Sequence, residues 1–226
     1  MNLDQEKQLA AEAAADLVED GMTVGLGTGS TAAFAIRRLG ARMSEGLKIR
    51  GLPTSNQSEQ LAREVGIPLL DFSQVTALDM TLDGADEFDP ALNLIKGGGG
   101  ALFREKIVAA ASARLIIFAD HTKQVPRLGK FPLPLEVNPF GWQAAAKKVE
   151  ALCPSVVLRQ GASGPFLTDN HGYILDCAFN EIPDPPALDA QLQAITGIVE
   201  TGLFIRMAEM VCLGTGSNVQ QVRPVR

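Results

Sequence analysis

Three segments that lie close together in the sequence combine acidic side chains, a lysine and a run of glycines. They are Asp83-Gly84-Ala85-Asp86-Glu87, then Lys96 followed by four glycines, and then Arg104-Glu105-Lys106. A glycine run lets main-chain N–H groups approach a ligand closely, and carboxylates beside such a run add little to the stability of a fold. The grouping predicts a catalytic site.

The acids and the lysine also have simpler interpretations. Asp86 or Glu87 alone fits a solvated turn, whereas three acids after an apolar strand favour a functional role. Spacing alone leaves an oxygen-only magnesium site open, but His121 and His171 lie far apart in the sequence, and no metal site is predicted. Lys96 is either a surface lysine or, as we favour, the group that stabilises an oxyanion beside main-chain N–H donors.

Glu105 lies in the first turns of the helix predicted after the glycines, on the same face as Ala101. Its carboxylate either points back at the glycine loop or is an exposed member of a local charge cluster. Spacing alone favours neither interpretation.

A second candidate site is the segment Gly25-Leu26-Gly27-Thr28-Gly29-Ser30-Thr31, between a predicted strand and a predicted helix. Main-chain N–H groups at a helix start, together with three hydroxyl side chains, suit a phosphate monoester. A dinucleotide fingerprint would need glycine where Ser30 stands, and the Walker pattern would need a Gly-Lys pair. The alternative is an ordinary tight turn with a helix cap. A similar segment at 213–217 is followed by no helix and predicts a hairpin turn.

Composition limits the partners and the compartment. The chain has 226 residues, 46% of them hydrophobic, and a formal net charge of −6, which predicts a globular protein that binds neither nucleic acid nor an anionic membrane as its main partner. Cys153, Cys177 and Cys212 are odd in number and show no C-x-x-C spacing, so the expected compartment is a reducing cytoplasm. The acidic N-terminal segment is unlike a signal peptide, and no apolar run has membrane-spanning length.

The first part of the chain alternates predicted helices and strands. Helices are predicted from Leu9, Ala13 and Leu17, from Ser30 and Thr31 as caps through Arg42, from Ser55 as a cap through Val65, and over 101–112. Strands are predicted at 22–26, 48–52, 68–70, 78–82 and 114–119. This is an α/β pattern, expected to fold as a Rossmann-like three-layer αβα domain with a mostly parallel sheet, in which ligands bind beyond the carboxyl ends of the strands.

A second domain is predicted at 131–206, where prolines cluster and the pattern changes. A helix at 142–152 precedes strands at 156–158 and 173–177, a hairpin at Asp169-Asn170-His171-Gly172, a helix at 188–195 and a strand at 198–204. We expect a smaller α+β, ferredoxin-like domain there. The catalytic αβα domain then comprises 1–130 and 207–226, with another strand at 211–214.

The motifs together resemble the type A ribose-5-phosphate isomerases over essentially the whole chain. The resemblance lies in five segments that occur in the family's order: Gly-Leu-Gly-Thr-Gly-Ser-Thr at 25–31, Leu-Asp-Gly-Ala-Asp-Glu at 82–87, Ile-Lys-Gly-Gly-Gly at 95–99, Arg-Glu-Lys at 104–106 and Gly-Lys-Phe-Pro-Leu-Pro at 129–134. It implies interconversion of ribose 5-phosphate and ribulose 5-phosphate in the pentose phosphate pathway, without metal or organic cofactor. It also suggests a homodimer or homotetramer.

The resemblance assigns Glu105 as the base that transfers the proton. It implies that the sugar phosphate contacts Thr28, Gly29, Ser30, Thr31, Asp83, Gly84, Ala85, Asp86, Lys96, Gly97, Gly98, Gly99 and Lys123. Whether Lys7 or Lys123 completes the phosphate site is left open. Phe103 departs from the family pattern, which more often has a small hydroxyl residue there, but helical geometry directs it away from Glu105.

This isomerisation needs a proton removed from C2 and returned to C1 through an enediolate, which one carboxylate can do. Because free glutamate is a weak base, we expect burial to raise the pKa of Glu105 toward neutrality. Lys96 and the glycine N–H groups would stabilise the enediolate oxygen, and Asp83, alone or with Asp86, would handle the hydroxyl protons during ring opening. The alternatives are an amino-sugar phosphate deaminase and a non-catalytic sugar-phosphate sensor, although no basic helix-turn-helix extension accompanies the chain.

Overall fold

The computed structural model describes residues 2–225. The helices are α1 (Leu3–Ala15), α2 (Ser30–Ser44), α3 (Asn56–Glu64), α4 (Leu102–Ala110), α5 (Trp142–Val149) and α6 (Pro185–Gln193). The first seven strands are β1 (Thr23–Leu26), β2 (Arg50–Pro53), β3 (Met80–Gly84), β4 (Glu87–Phe88), β5 (Leu94–Ile95), β6 (Leu115–Asp120) and β7 (Leu133–Val137). The others are β8 (Val156–Leu158), β9 (Gln160–Gly161), β10 (Gly164–Pro165), β11 (Tyr173–Cys177), β12 (Ile198–Thr201), β13 (Leu203–Phe204), β14 (Met210–Thr215) and β15 (Asn218–Val222).

A six-stranded sheet forms the centre of the larger unit, in the order β15-β14-β6-β3-β1-β2. Its neighbouring strands are parallel except for β15, which pairs antiparallel with β14. The strands between the two edges are buried along almost their whole length. The predicted α/β fold with a mostly parallel sheet is therefore confirmed.

Both faces of this sheet are covered. Alternate residues of β6 show the division, because Ile116 and Phe118 pack with α1 and α2 whereas Leu115 and Ile117 pack with the opposite layer. In α1 the buried side is made of alanines at 10, 11, 14 and 15, and these small side chains let α1 lie close to α2, β6 and β14. The opposite layer contains Ala109 of α4 together with the short strands β4, β5 and β13.

The second unit is a four-stranded antiparallel sheet in the order β12-β7-β11-β8. Its chain order, β7-α5-β8-β11-α6-β12, is the β-α-β-β-α-β arrangement of ferredoxin-like folds. Its core joins one face of the sheet to both helices through residues such as Leu135, Val149, Leu175 and Leu192. The predicted ferredoxin-like character is confirmed, while the exact division at 131–206 stays a prediction.

A three-stranded sheet, in the order β13-β5-β4, joins the two units. It begins at the last residue of the acidic run, because Glu87 and Phe88 form β4, and it leads into the glycine run through β5. The Lys96 N–H donates to the Gly202 carbonyl at 2.9 Å, so the start of the glycine run is held beside the end of β12.

Several predicted details are wrong. No strand forms at 68–70, where Leu69 makes only an isolated bridge to Gly51. The strand predicted at 198–204 is divided at Gly202 into β12 and β13, which belong to different sheets. The residues before the turn at 169–172 form no strand, and the hairpin in this region is β9–β10. Helix α2 has Gly29 as its N-cap, and neither Ser30 nor Thr31 caps it.

Other local predictions are confirmed. The Ser55 side chain accepts a hydrogen bond from the Ser58 N–H and caps α3. The segment at 213–217 is the end of β14 and a two-residue hairpin turn, since Thr215 pairs with Asn218 across it. None of the helices formed by residues 2–225 has both the length and the apolar character needed to cross a membrane.

Candidate active site

The residues that the sequence predicts to bind substrate or to catalyse the reaction lie together at the carboxyl ends of β1 and β3. The chain leaves β1 to form β2 on one side and later returns to form β3 on the other side, so a crevice opens where the strand order reverses. A cavity of about 290 Å³ lies there. It is lined by Lys7, Thr28, Gly29, Ser30, Thr31, Gly84, Ala85, Asp86, Lys96, Gly97, Gly98, Gly99, Glu105 and Lys123. Of the residues predicted to contact substrate, Asp83 alone is not in this lining.

Three charged side chains are buried together at the base of the cavity. Lys96 Nζ lies 3.0 Å from Asp83 Oδ2 and 3.3 Å from Glu105 Oε2, and each of the three side chains is at most 5% exposed. Lys96 Nζ also donates to the Gly84 carbonyl at 2.7 Å. The structure thus decides between the two interpretations of Glu105, because its carboxylate is buried against Lys96 and faces the glycine loop.

Burial controls the protonation of the two carboxyl groups. Removal from water raises the pKa of Glu105 to about 8; Lys96 opposes this change and the negative charge of Asp83 reinforces it. Burial also raises the pKa of Asp83, again against the effect of Lys96. For Lys96, burial disfavours the charge, but Asp83 and Glu105 outweigh it and raise the lysine's pKa. Lys96 is therefore held as a cation beside two carboxyl groups whose pKa values are both raised.

Two of the three buried carboxylate oxygens that have no hydrogen-bond donor among residues 2–225 belong to this charged group; the third is Glu136 Oε2. Those of the charged group are Asp83 Oδ2 and Glu105 Oε2, which lie near the ammonium of Lys96 without the geometry of a hydrogen bond. Buried polar atoms of this kind are uncommon, because each costs about 1–3 kcal/mol when it lacks a partner. The Glu105 carboxylate lines the cavity, so a hydroxyl or C–H group of a bound molecule can reach it.

The three acids of the run 83–87 have three different roles. Asp83 Oδ1 accepts the N–H groups of Gly84 at 2.8 Å and Thr28 at 3.3 Å. Asp86 lines the cavity and its Oδ2 accepts the Gly98 N–H at 2.7 Å. Glu87 is buried, not solvated, and its two oxygens accept the N–H groups of Gly129 and Phe131. The structure therefore gives each acid its own partner instead of gathering the three around one cation.

The phosphate-like loop after β1 is held against Asp83. A Cβ atom at Gly27 would overlap the Asp83 carboxylate, which explains why only glycine fits there. Gly29 has φ +105°, a conformation that side chains disfavour, and it turns the chain into α2. Thr28 Oγ1 is bound to Thr54 Oγ1 at 2.7 Å and to Ser55 Oγ at 2.8 Å. Gly29, Ser30 and Thr31 at the N-terminus of α2 line the cavity, and N–H groups at such a helix start can bind an anion.

Two lysines line the same cavity as the N-terminus of α2. Lys7 of α1 and Lys123, which follows β6, both line the cavity. Their elements are joined by Glu6, whose Oε2 lies 2.6 Å from His121 Nδ1 and whose Oε1 accepts the Gly216 N–H at 2.8 Å. The hydrogen bond with His121 lowers the pKa of Glu6, and the same hydrogen bond raises the pKa of His121. The structure brings both candidate lysines to the cavity.

The sequence comparison identifies the family. A profile of the family described as Ribose 5-phosphate isomerase A (phosphoriboisomerase A) matches residues 50–218. The chain belongs to this family. It is 50% identical over 222 residues to Ribose-5-phosphate isomerase A of Bacillus mycoides (strain KBAB4), and the match covers 98% of this chain and 99% of the relative.

Solved isomerase structures have the same fold. A D-ribose-5-phosphate isomerase in complex with phospho-erythronic acid is 41% identical, with a TM-score of 0.95, and the match covers 99% of this chain and 100% of that chain. Ribose 5-phosphate isomerase A from Methanocaldococcus jannaschii is 39% identical with a TM-score of 0.92, covering 96% of this chain and 98% of that chain. The family resemblance read from the sequence is confirmed.

Four of the five isomerase A motifs contribute residues to the cavity or to its buried charged group, and the fifth binds Glu87 outside the cavity. The segments at 25–31, 82–87, 95–99 and 104–106 each supply lining or buried charged residues. The segment at 129–134 does not line the cavity, and its Gly129 and Phe131 N–H groups bind Glu87 instead. This motif therefore anchors the strand that follows the acidic run.

Neighbours of Glu105 in this isomerase A chain point elsewhere. Lys106 Nζ binds Glu200 Oε1 and the Thr201 carbonyl, both at 2.7 Å, and so ties α4 to β12. Phe103 lines a separate cavity of about 580 Å³ together with Ile107, as helical geometry predicts. That larger cavity contains none of the buried charged groups, so we place the chemistry in the smaller one.

Proposed function

We propose that this chain interconverts D-ribose 5-phosphate and D-ribulose 5-phosphate as an aldose–ketose isomerase of the non-oxidative pentose phosphate pathway. The observation that carries the proposal is the buried group of Asp83, Lys96 and Glu105 at the base of a cavity whose rim is a helix N-terminus. This arrangement supplies a base, a cation and an anion site, the three groups that the isomerisation of a sugar phosphate requires.

We assign the phosphate group to the rim of the cavity. The N–H groups at the start of α2, the hydroxyl groups of Thr28, Ser30 and Thr31, and the two lysines Lys7 and Lys123 line that side. A phosphate dianion there would offset the positive end of the helix and the two ammonium groups. This places the other end of the sugar toward Lys96 and Glu105.

We assign proton transfer to Glu105. In the ring-opened aldose its carboxylate takes the proton from C2, and the electron pair of that C–H bond forms the C1=C2 double bond while the carbonyl oxygen at C1 becomes negative. The protonated Glu105 then returns the proton to C1, and transfer of the O2 proton to O1 leaves the carbonyl at C2. A carboxyl group with a pKa of about 8 suits this work, because it binds the proton and releases it near neutral pH.

We assign stabilisation of the enediolate oxygen to Lys96 and the glycine loop. The ammonium is fixed by Asp83, Glu105 and the Gly84 carbonyl, so it needs little reorganisation when negative charge develops on the substrate. For ring opening we favour Asp86 over Asp83, because the Asp86 carboxylate lines the cavity whereas Asp83 is only 1% exposed. Asp83 in this scheme holds Lys96 in place and keeps it charged.

Replacement of Glu105 tests the proposal. In Glu105→Gln we expect isomerisation of ribose 5-phosphate, assayed in the presence of a chelator, to fall by about 10²-fold or more, since general base catalysis typically contributes 10²–10⁴. The matched control is Glu150→Gln, an exposed helix-terminal glutamate paired with Lys147. Exchange of the C2 hydrogen with solvent should disappear in parallel with turnover. Near wild-type turnover in Glu105→Gln would overturn the assignment, and a wild-type chain that neither forms ribulose 5-phosphate nor exchanges the C2 hydrogen would overturn the proposed reaction.

An inhibitor gives an independent test. One solved relative was crystallised with phospho-erythronic acid, a sugar-acid phosphate. Its planar carboxylate beside a hydroxyl resembles an enediolate, so we propose that it binds this chain competitively with ribose 5-phosphate and more tightly than the substrate. Weaker binding than substrate would count against an enediolate-stabilising site.

We also propose that the chain works in the cytoplasm as a homodimer or homotetramer. Three free, buried cysteines are compatible with a reducing compartment. Oligomeric state is the quantity to measure, by light scattering coupled to size-exclusion chromatography. A monomer at micromolar concentration would contradict the proposed assembly.

A further inference from the structure

Arg159 of the ferredoxin-like unit reaches across to the glycine loop of the cavity. Its Nη1 donates to the Gly97 carbonyl at 3.0 Å and to the Gly98 carbonyl at 3.1 Å. The residue follows β8, far in sequence from every motif of the site. Among residues 2–225 no other charged side chain donates to these two carbonyls, and the Gly97 carbonyl also accepts the Gly100 N–H at 2.9 Å.

The guanidinium of Arg159 is itself fixed on the other side. Its Nε donates to Asp176 Oδ2 at 2.9 Å and its Nη2 to Asp176 Oδ1 at 2.6 Å, a bidentate pair with the side chains 15% and 27% exposed. The Phe166 ring lies against it, with the ring centroid 5.7 Å from the guanidinium carbon. Arg159 is therefore a rigid donor, since its planar fork is held by a carboxylate and a ring.

Peptide geometry transmits this contact to the cavity. In a trans peptide the carbonyl and the next residue's N–H point in opposite directions. The Gly97 carbonyl faces Arg159, and the N–H of the same peptide, that of Gly98, points the other way and donates to Asp86 Oδ2 at 2.7 Å. By the same geometry the Gly98 carbonyl faces Arg159, so the Gly99 N–H must point away from it. Gly99 lines the cavity, and its N–H has no acceptor among the described residues.

We propose that Arg159 is a positioning residue for the isomerisation: it orients the Gly97–Gly98 and Gly98–Gly99 peptides so that one N–H fixes Asp86 and the other faces the developing enediolate oxygen. The inference rests on the proposed function. Two carbonyls bound to a cation also polarise their peptides, which strengthens the opposite N–H groups as donors. The ferredoxin-like unit thereby takes part in the reaction without touching the substrate.

A simple structural contact between the two units would have different consequences. Loss of such a contact lowers stability and acts on binding and turnover alike. Loss of an aimed N–H group acts mainly on the transition state, because the enediolate oxygen carries more charge than the substrate carbonyl. The ratio of the effects on kcat and KM therefore separates the two interpretations.

The test compares Arg159→Ala, Arg159→Lys and Asp176→Asn with Arg127→Ala, an exposed arginine paired with Glu181. We expect kcat for ribose 5-phosphate to fall by up to about 100-fold in Arg159→Ala, since a misplaced catalytic group can cost about 10²-fold and complete loss of an oxyanion donor costs about 10²–10³-fold. KM should change by no more than about threefold, by the same reasoning. Arg159→Lys keeps a positive charge but lacks the fork, and should lose kcat without losing the folded state. Asp176→Asn should fall between wild type and Arg159→Ala.

Amide hydrogen exchange of the glycine loop completes the test. We expect the Gly98 amide to exchange faster in both Arg159 variants than in wild type or Arg127→Ala, because its bond to Asp86 is no longer held. Wild-type kcat in both Arg159 variants, or a loss confined to KM, overturns the proposal. An inactive wild-type chain instead overturns the proposed function, and the exchange measurement then still decides whether Arg159 sets the loop.

Discussion

As the pH is lowered, the Glu105 carboxylate should become protonated at a much higher pH than an exposed glutamate would. Glu105 is buried beside Lys96 and Asp83, and burial raises its pKa from 4.5 to about 8. Only the ionised carboxylate can accept the proton from C2. We therefore expect kcat/KM to rise with pH and to level off only above the pKa of the free enzyme's Glu105.

The expected size of the effect follows from this pKa. One pKa unit corresponds to about 1.4 kcal/mol, so ionising Glu105 in the folded chain costs about 5 kcal/mol more than ionising a glutamate in water. At about pH 6.5, a group with a pKa of about 8 is roughly 3% ionised. The value of kcat/KM at that pH should accordingly lie about 30-fold below the plateau.

The measurement is the pH dependence of kcat/KM between about pH 6.5 and 9.5, where the substrate phosphate, with a second pKa of about 6, is mainly a dianion. Solvent deuterium exchange into ribulose 5-phosphate, measured over the same range, should show the same midpoint because it uses the same base. A flat profile down to pH 6.5 would refute the reasoning, since it would mean that Glu105 ionises like an exposed glutamate or is not the base.

Three further results are expected. Asp86→Asn should slow the isomerisation of ribose 5-phosphate more than it slows deuterium exchange into ribulose 5-phosphate, which forms no ring. Asp83→Asn should slow both reactions, because it releases Lys96. Equal losses of the two rates in Asp86→Asn would contradict a ring-opening role for Asp86. His121→Ala should raise KM several-fold with a smaller change in kcat, since the contact with Glu6 holds the elements that carry the two cavity lysines, and an unchanged KM would contradict this. Denaturant unfolding should show Glu105→Gln gaining stability relative to wild type as the pH rises from 5 to 9. Between pH 4.5 and about 8 the folded wild-type chain holds a proton on Glu105 that the unfolded chain has lost, so the free energy of unfolding of the wild type decreases with pH. A difference between the two chains that stays constant with pH would show that the Glu105 pKa is not raised.

The buried charged group was predictable because local patterns place its members. Asp83 lies at the end of an apolar strand, within β3, Lys96 precedes the glycine run and Glu105 lies in the first turns of the next helix. Each feature has a sequence signal, and the carboxyl ends of parallel strands meet at one edge of a sheet. The direction of Glu105 was not predictable from spacing, because it depends on burial by residues from other parts of the chain.

What the sequence did not reveal consists of contacts between distant segments. Glu87 belongs to the acidic run by position, but its partners Gly129 and Phe131 lie on a loop whose approach no local pattern indicates. Arg159 carries no motif, and only the packing of the ferredoxin-like unit brings it to the glycine loop. The division of the strand at Gly202 also involves a distant segment: the chain passes there from β12 to β13, and a Cβ at this position would overlap the Lys96 carbonyl.

The strength of the base depends on how many cations the two carboxyl groups share. Lys96 is held at 3.0 Å from Asp83 and 3.3 Å from Glu105, so one positive charge faces two groups that could each be negative. A second lysine would keep both carboxylates ionised and make Glu105 a weak base, while removal of Lys96 would leave it protonated throughout the working range. In the proposed reaction Glu105 would be neutral after taking the substrate proton, and the one shared ammonium of Lys96 would then face Asp83 and the new enediolate oxygen. By this proposal the same cation both tunes the affinity of Glu105 for the proton and would stabilise the charge that proton removal creates.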